Sequence, residues 1–340
     1  PPPPPPPPTP SSNRRQRQMC IRDSTRGAAH DPSAVAGATH LVEHLTLRAC
    51  GGRDRRSLAL LVDRLGGEVD AWTSSELMGI SVNTTRDALG EALDLLVEAT
   101  LSPTFAPEDV DLEKRVTRAE LDLAADDPAE RVEEALLHAA WGDHPLARPV
   151  IGTRETLEAL TPEILERHHA GMVRPGGMIA AVVGDVDPDE VARSLARLPL
   201  QKAPSAPRLA PVSWRGAHLD VNREGTDQVH ARLGFESLEA GDPRVWALII
   251  FNRILGDGAS SRLFQRLRED EGLTYDIWSG PVLRKLGGLL EVGWACAPSA
   301  FSDAWRLVQE ELALVTRNLS RDEVEVAKEG VLRGLRMDME

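Results

Sequence analysis

The chain has 340 residues, 41% apolar, 27% charged and only 4% aromatic, a profile that suits two globular domains with aliphatic cores and argues against a disordered or fibrous protein. A net charge of −14 argues against nucleic acid, since phosphate binding needs a basic surface, and favours a neutral or basic partner. No apolar run approaches the roughly 20 residues of a membrane-spanning helix, and three widely spaced cysteines, Cys20, Cys50 and Cys296, make neither a metal knuckle nor a disulfide framework.

Residues 1–24 open with eight prolines and continue without periodicity, so they are expected to be disordered and foreign to the fold, which then starts near Thr25. After a loop at Pro32–Ala36, a helix is predicted from Gly37 to about Leu47. A second follows over Asp54–Leu65, with Leu58, Leu61, Val62 and Leu65 on one face and Gly66-Gly67 as its stop. Glu68–Thr73 and Leu77–Asn83 alternate like two antiparallel strands. Helices are predicted at Arg86–Thr100, Pro107–Ala125 and Ala129–Trp141, another begins at Thr161-Pro162, and Met178–Val183 reads as a continuous apolar strand. Four prolines in Pro199–Pro211 mark a linker, set at residues 199–212 between domains at 25–198 and 213–340. The second half predicts strands at His218–Val221 and Gln228–Phe235, then helices at Pro243–Leu255 and Ser260–Asp270. Strands at Tyr275–Ser279 and Leu289–Ala295 and a helix at Ser302–Leu314 come next. Ser320 and Glu323 form a capping box for a final helix that runs to Glu340. The fold class expected is α+β: a two-layer unit of antiparallel-rich sheet and helices, used twice.

Chemistry concentrates in Gly37-Ala-Thr-His40-Leu-Val-Glu43-His44. Residues four apart on a helix lie one above the other, so His40 and His44 can reach one metal ion. Glu43 shares their face and is placed to act as general base toward a water. This order reverses the commoner zinc-peptidase signature and is the inverzincin arrangement. A third ligand is still needed, and the helix Pro107–Ala125 offers Glu113 and Glu120, two turns apart. One would bind the metal and the other orient a histidine N–H. The bland reading of the same residues is a helix with two histidines and a solvated glutamate. His144 in its Gly/Pro loop reads as structural, His168-His169 as a charge at a helix C-terminus, and Gly256-Asp-Gly258 lacks the lysine and spacing of a phosphate loop.

Together these residues resemble the pitrilysin-like inverzincin (insulinase-type) metallopeptidases, particularly the branch holding the mitochondrial processing peptidase subunits and their bacterial relatives. The likeness extends over about Thr25–Glu340. Gly37-x-x-His40-Leu-Val-Glu43-His44-Leu45 is similar to the family's zinc helix, and Leu65-Gly-Gly-Glu-Val-Asp70-Ala71-Trp-Thr73 to its active-site edge strand. Glu113 through Glu120 resembles its distal glutamate pair. Gly142-Asp-His-Pro through Gly152 and Val183-Gly184-Asp185 follow in the expected order, and Ser260 through Tyr275 resembles the most recognisable stretch of its second domain.

The resemblance implies a zinc-dependent endopeptidase with two similar domains facing across a cleft, cleaving extended or presequence-like peptides through a zinc-activated water. It implies one Zn2+ per chain on His40, His44 and Glu120, with Glu113 behind them and Glu43 as base. Arg268 and Tyr275, the only tyrosine, would bind the substrate and its oxyanion. Asp70 and Ala71 would accept an extended peptide as an added strand, although Asp70 stands where the family commonly has asparagine. Expected partners are the peptide and a homodimer or heterodimer mate, with no nucleic acid and no membrane span, in a soluble bacterial protein of cytoplasm or periplasm. The rival reading is a non-catalytic structural or substrate-holding subunit, whose zinc motif is usually degraded. The resemblance also implies missing strands before the zinc helix and a final helix cut short, so that the chain is expected to be a fragment that need not be active by itself.

Overall fold

The computed structural model describes residues 18–24, 26–200 and 209–338. In chain order the elements are β1 (Gln18–Ser24), α1 (Ala38–Thr46), α2 (Arg55–Leu65), β2 (Glu68–Thr73), β3 (Met78–Thr84), α3 (Leu89–Leu101), α4 (Pro107–Asp126) and α5 (Pro128–Trp141). There follow α6 (Arg154–Ala159), α7 (Pro162–Met172), β4 (Met178–Val183), α8 (Pro188–Leu195), β5 (Val229–Ser237) and α9 (Val245–Leu255). A π-helix at Phe264–Asp270 leads to β6 (Thr274–Arg284), β7 (Gly287–Cys296), α10 (Phe301–Val315) and α11 (Arg321–Asp338). By their contacts the described residues divide into two units. The first reaches to Leu121 and resumes at Pro149; the second comprises Asp122–Arg148 and the chain from Leu209 onward.

The first unit is built on a four-stranded antiparallel sheet in the order β2-β3-β1-β4. One core joins Leu58, Leu61 and Leu65 of α2 to Ile80 and Val82 of β3 and to Leu89, Leu93 and Leu96 of α3. The leucines of α2 are the face that the 3.6-residue period marks, and Asp54 caps the helix by accepting from Ser57 N. A second core packs Leu41, Val42 and Leu45 of α1 against Met78, Val110, Leu157, Leu165 and Met172. Those three α1 side chains are fully buried, each worth about 2 kcal/mol, so α1 is held by one face and presents the other.

The second unit carries a three-stranded antiparallel sheet, β5-β7-β6. β7 is the central strand and is buried nearly throughout, Glu291 included, whose carboxylate accepts from Arg232 Nη1 at 2.8 Å. Leu255, Leu263, Leu267, Ile277, Val292, Trp294, Leu307 and Val308 form its core. α5 lies along β5, which is what draws Asp122–Arg148 into this unit.

Three local expectations differ from the structure. Residues 18–24, set aside with the proline-rich start, form β1 between β3 and β4; a short run with little periodicity becomes a strand when two neighbours supply its hydrogen bonds. The remainder of that start, residues 1–17, lies outside the described residues, as does the linker segment 201–208. His218–Val221 is not a strand, since Leu219 and Val221 are exposed and β5 pairs only with β7. The helix expected over Ser260–Asp270 takes π geometry from Phe264. The capping box of α11 forms as expected, with Glu323 N donating to Ser320 Oγ and Ser320 N to Glu323 Oε2. No helix among the described residues is long and apolar enough to cross a membrane.

Candidate metal centre

α1 starts at Gly37, whose φ of +90° places it in the left-handed region. A Cβ there would sit 2.4 Å from Ile151 O, so only glycine fits. Gly37 has no side chain to cap the helix, and Asp31 does so from outside: its buried carboxylate accepts from Gly37 N at 3.0 Å and Thr39 N at 3.2 Å. On the free face, the rings of His40 and His44 stand with centroids 4.6 Å apart. Glu120, from α4, completes a cluster in which one ligand atom each of His40, His44 and Glu120 lie within 4.8 Å of one another.

The hydrogen bonds around this cluster set its protonation. Glu113 Oε2 lies 3.1 Å from His44 Nδ1. A carboxylate only accepts here, so Nδ1 carries the proton and the Nε2 lone pair is left on the side of Glu120 Oε2, 3.8 Å away. Burial, with the neighbouring His44, pushes the His40 imidazole down to about 4, keeping it neutral. His40 Nδ1 and Glu120 Oε2 are buried without a hydrogen-bond partner, an arrangement that normally destabilises by about 1–3 kcal/mol per group. A neutral imidazole, a tautomer fixed by a carboxylate and two unpaired buried donor atoms all fit a zinc ion.

Glu43 shares the face of the histidines. Burial raises its carboxyl to about 7, against the opposing pull of His44 and of the Thr73 hydroxyl, which donates to Glu43 Oε2 at 3.4 Å. A carboxylate poised near neutrality suits proton transfer in both directions. Thr73 ends β2, the strand carrying Asp70 and Ala71; among the described residues β2 is an edge of its sheet, paired to β3 through Asp70–Ser81 and Ala71–Ile80 and to no strand on its outer side. Asp70 is exposed and Ala71 half-buried.

The remaining two site residues lie together in the second unit. The Arg268 guanidinium, on the π-helix, is sandwiched between the rings of Phe264 and Tyr275, at 4.6 and 4.4 Å from their centroids. The ladder of β6 and β7 slips between Thr274 and Asp276, leaving Tyr275 as the extra residue of a bulge and 79% exposed. Arg268 and Tyr275 line a cavity of about 260 Å³ with Gln228, Thr274 and Cys296. Of the other histidines, His144 caps a turn by accepting from Leu146 N, His169 bonds Thr100 O, and His168 bonds Thr39 Oγ1 at 2.9 Å. Motif reading passed over Asp31, Arg48 and Thr73, of which only Thr73, three residues beyond Asp70, lies within a quoted motif.

The family model of insulinase (peptidase family M16) matches residues 24–154, and that of the peptidase M16 inactive domain matches residues 159–331. The chain belongs to the M16 family. The metal cluster thus lies in the part matched by the insulinase model, and Arg268 and Tyr275 in the part matched by the inactive-domain model. Within the M16 family, an uncharacterized zinc protease of Mycobacterium leprae is 34% identical over 315 residues, covering 91% of this chain and 71% of that protein. A crystal structure of a peptidase M16 inactive domain from Pseudomonas fluorescens superposes with a TM-score of 0.85 at 22% identity, covering 94% of this chain and 78% of that one. The structure of a Helicobacter pylori protease does so at 0.83 and 19%, covering 94% and 80%. At these identities the two structures speak to the M16 fold alone.

Proposed function

We propose that this M16 protein is a zinc-dependent endopeptidase that cleaves extended peptides. The observation that carries the reading is the convergence of His40, His44 and Glu120 within 4.8 Å, with Glu43 on the same helix face. Zinc protease is also the description of its Mycobacterium leprae relative. One ion per chain on these three ligands would supply Lewis acidity, polarising a peptide carbonyl and acidifying a water.

The protein's own groups divide the remaining work. Glu43 takes a proton from the attacking water and hands it to the leaving amine, with Thr73 holding Oε2 in place. Glu113 keeps the proton on His44 Nδ1. The free outer edge of β2 offers main-chain groups around Asp70 and Ala71 to an extended peptide, a mode with loose sequence preference. Arg268 and Tyr275 are assigned to the substrate as donors toward its carbonyl oxygen. The charge of −14 favours peptides with basic residues, in keeping with a processing-peptidase-like role, alone or beside a related subunit.

Elemental analysis of the purified chain with His40→Ala alongside tests the metal, and hydrolysis of quenched-fluorescent peptides tests the activity. About one zinc per chain, lost in His40→Ala, and cleavage abolished by Glu43→Gln with zinc retained are expected. Zinc retained with no cleavage of any peptide would favour the non-catalytic, substrate-holding subunit. Equal kcat/KM for basic and acidic peptides would remove the charge preference.

A further inference from the structure

Arg48 stands just past the end of α1, where its N–H donates to Leu45 O at 3.1 Å and closes the last turn. Its side chain turns toward α4, on which Asp109 and Glu113 are one helical turn apart. Nε donates to Asp109 Oδ1 at 2.6 Å, and Nη1 donates to Glu113 Oε1. The other oxygen of Glu113, Oε2, is the one that accepts from His44 Nδ1. Asp109, Arg48, Glu113 and His44 therefore form one chain of contacts ending on an imidazole of the metal cluster.

The side chains of Arg48 and Glu113 are only 12% and 10% exposed. A carboxylate so buried, without the cation that holds its Oε1, would rotate toward water. That rotation would withdraw Oε2 from His44 and free the ring to turn. The guanidinium prevents this through a planar fork: one nitrogen is tied to Asp109 while another holds Oε1, which sets the rotation of the Glu113 carboxylate about its own axis. A lysine at this position could neutralise Glu113 but could not bridge both acids with the same rigidity.

We infer that Arg48, anchored by Asp109, is a positioning residue for the metal centre, holding Glu113 so that it orients His44. This rests on the metal reading above. A purely structural role, pinning α1 to α4, would change the stability of the zinc-free protein and leave zinc affinity alone.

The test is the zinc dissociation constant, measured by competition with a chromophoric chelator, for wild type, Arg48→Met, Arg48→Lys, Glu113→Gln and the double variant Arg48→Met/Glu113→Gln. The thermal midpoint of each zinc-free form is measured beside it. Arg48→Met should weaken zinc by about tenfold or more, the range for loss of an outer partner of a metal-bound histidine. Arg48→Lys should recover part of that loss. The double variant should bind no more weakly than Glu113→Gln alone, because Arg48 acts through Glu113. Unchanged affinity in Arg48→Met, or additive losses in the double variant, would overturn the inference. If Arg48→Met does not fold, Arg48→Lys and Asp109→Asn carry the same comparison, and unchanged affinity in both would overturn it. Zinc bound and weakened by Glu113→Gln, yet indifferent to every Arg48 variant, would sink this inference alone. A wild-type chain that binds no zinc would sink the metal reading with it.

Discussion

The carboxylate of Glu120 stands 3.8 Å from Nε2 of His44. That is too far for a hydrogen bond and near the roughly 3.4 Å that separates two ligands on one tetrahedral ion with metal–ligand bonds of about 2.1 Å. The pair is therefore spaced as two ligands of one ion would be and is not hydrogen-bonded to itself. Zinc should stabilise the fold by mass action, by about 2.7 kcal/mol at a free concentration a hundred times its dissociation constant. For a chain of this size, whose unfolding entropy is about 0.7 kcal/mol/K, that is a rise of about 4 °C in melting temperature. Thermal scans across a zinc titration should show the rise in wild type and none in His40→Ala; a flat wild-type response would remove the site.

Glu43 gives a pH dependence whose sign can be worked out for the zinc-free protein. Burial raises its carboxyl from 4.5 to about 7, so between those values the folded state binds more protons than the unfolded one. Stability is then fully present below about pH 4.5 and falls as pH rises through 7. Glu43→Gln removes the ionisation while keeping the size and an acceptor for Thr73. In chelator, urea unfolding should show it more stable than wild type at pH 8, by on the order of 2 kcal/mol, and nearly equal to it at pH 5. A variant no more stable at pH 8 would mean that the ionised carboxylate is well solvated.

Gly37 joins backbone geometry to the metal. Gly37→Ala must place a Cβ 2.4 Å from Ile151 O while holding φ near +90°. Relief requires the start of α1 to move, and His40 is three residues on. The variant should lose about 2 kcal/mol or more of stability and bind zinc more weakly, as read by denaturant unfolding and chelator competition. Loss of stability with unchanged zinc affinity would show that the strain is absorbed before His40.

What could be read in the sequence was local. α1 was legible because Leu41, Val42 and Leu45 mark one face and leave His40 and His44 on another, both within one period. α2 and α11 were legible because their caps lie three residues from the groups they satisfy. β1 was not, because its stability comes from β3 and β4, some 60 and 160 residues away. Conversely, His218–Val221 alternates like a strand but finds no strand to pair with among the described residues. Arg48 and Glu113 are 65 residues apart, and no periodicity links them; Asp31 caps a helix from six residues away, beyond the usual N-cap position. The bulge at Tyr275 and the π turn at Arg268 are departures from regular hydrogen bonding, which residue patterns do not encode. They nonetheless fall on the two residues that family likeness had selected.

That bulge carries the last prediction. A regular β6 would give Tyr275 a partner on β7; the slipped register leaves it unpaired, with its ring against Arg268 and most of its surface exposed. The exposed hydroxyl is the part of the side chain that could serve a developing oxyanion. Tyr275→Phe keeps the ring and its stacking on Arg268 and removes only that donor. Zinc content and melting temperature should therefore be unchanged, while kcat/KM toward a cleaved peptide should fall by about 10²–10³, the usual effect of losing one such donor. If the loss lies in kcat with KM preserved, the hydroxyl acts in the transition state; if KM alone rises, it binds the ground state. Full activity in Tyr275→Phe would leave the tyrosine with stacking as its only role and shift the oxyanion assignment to Arg268.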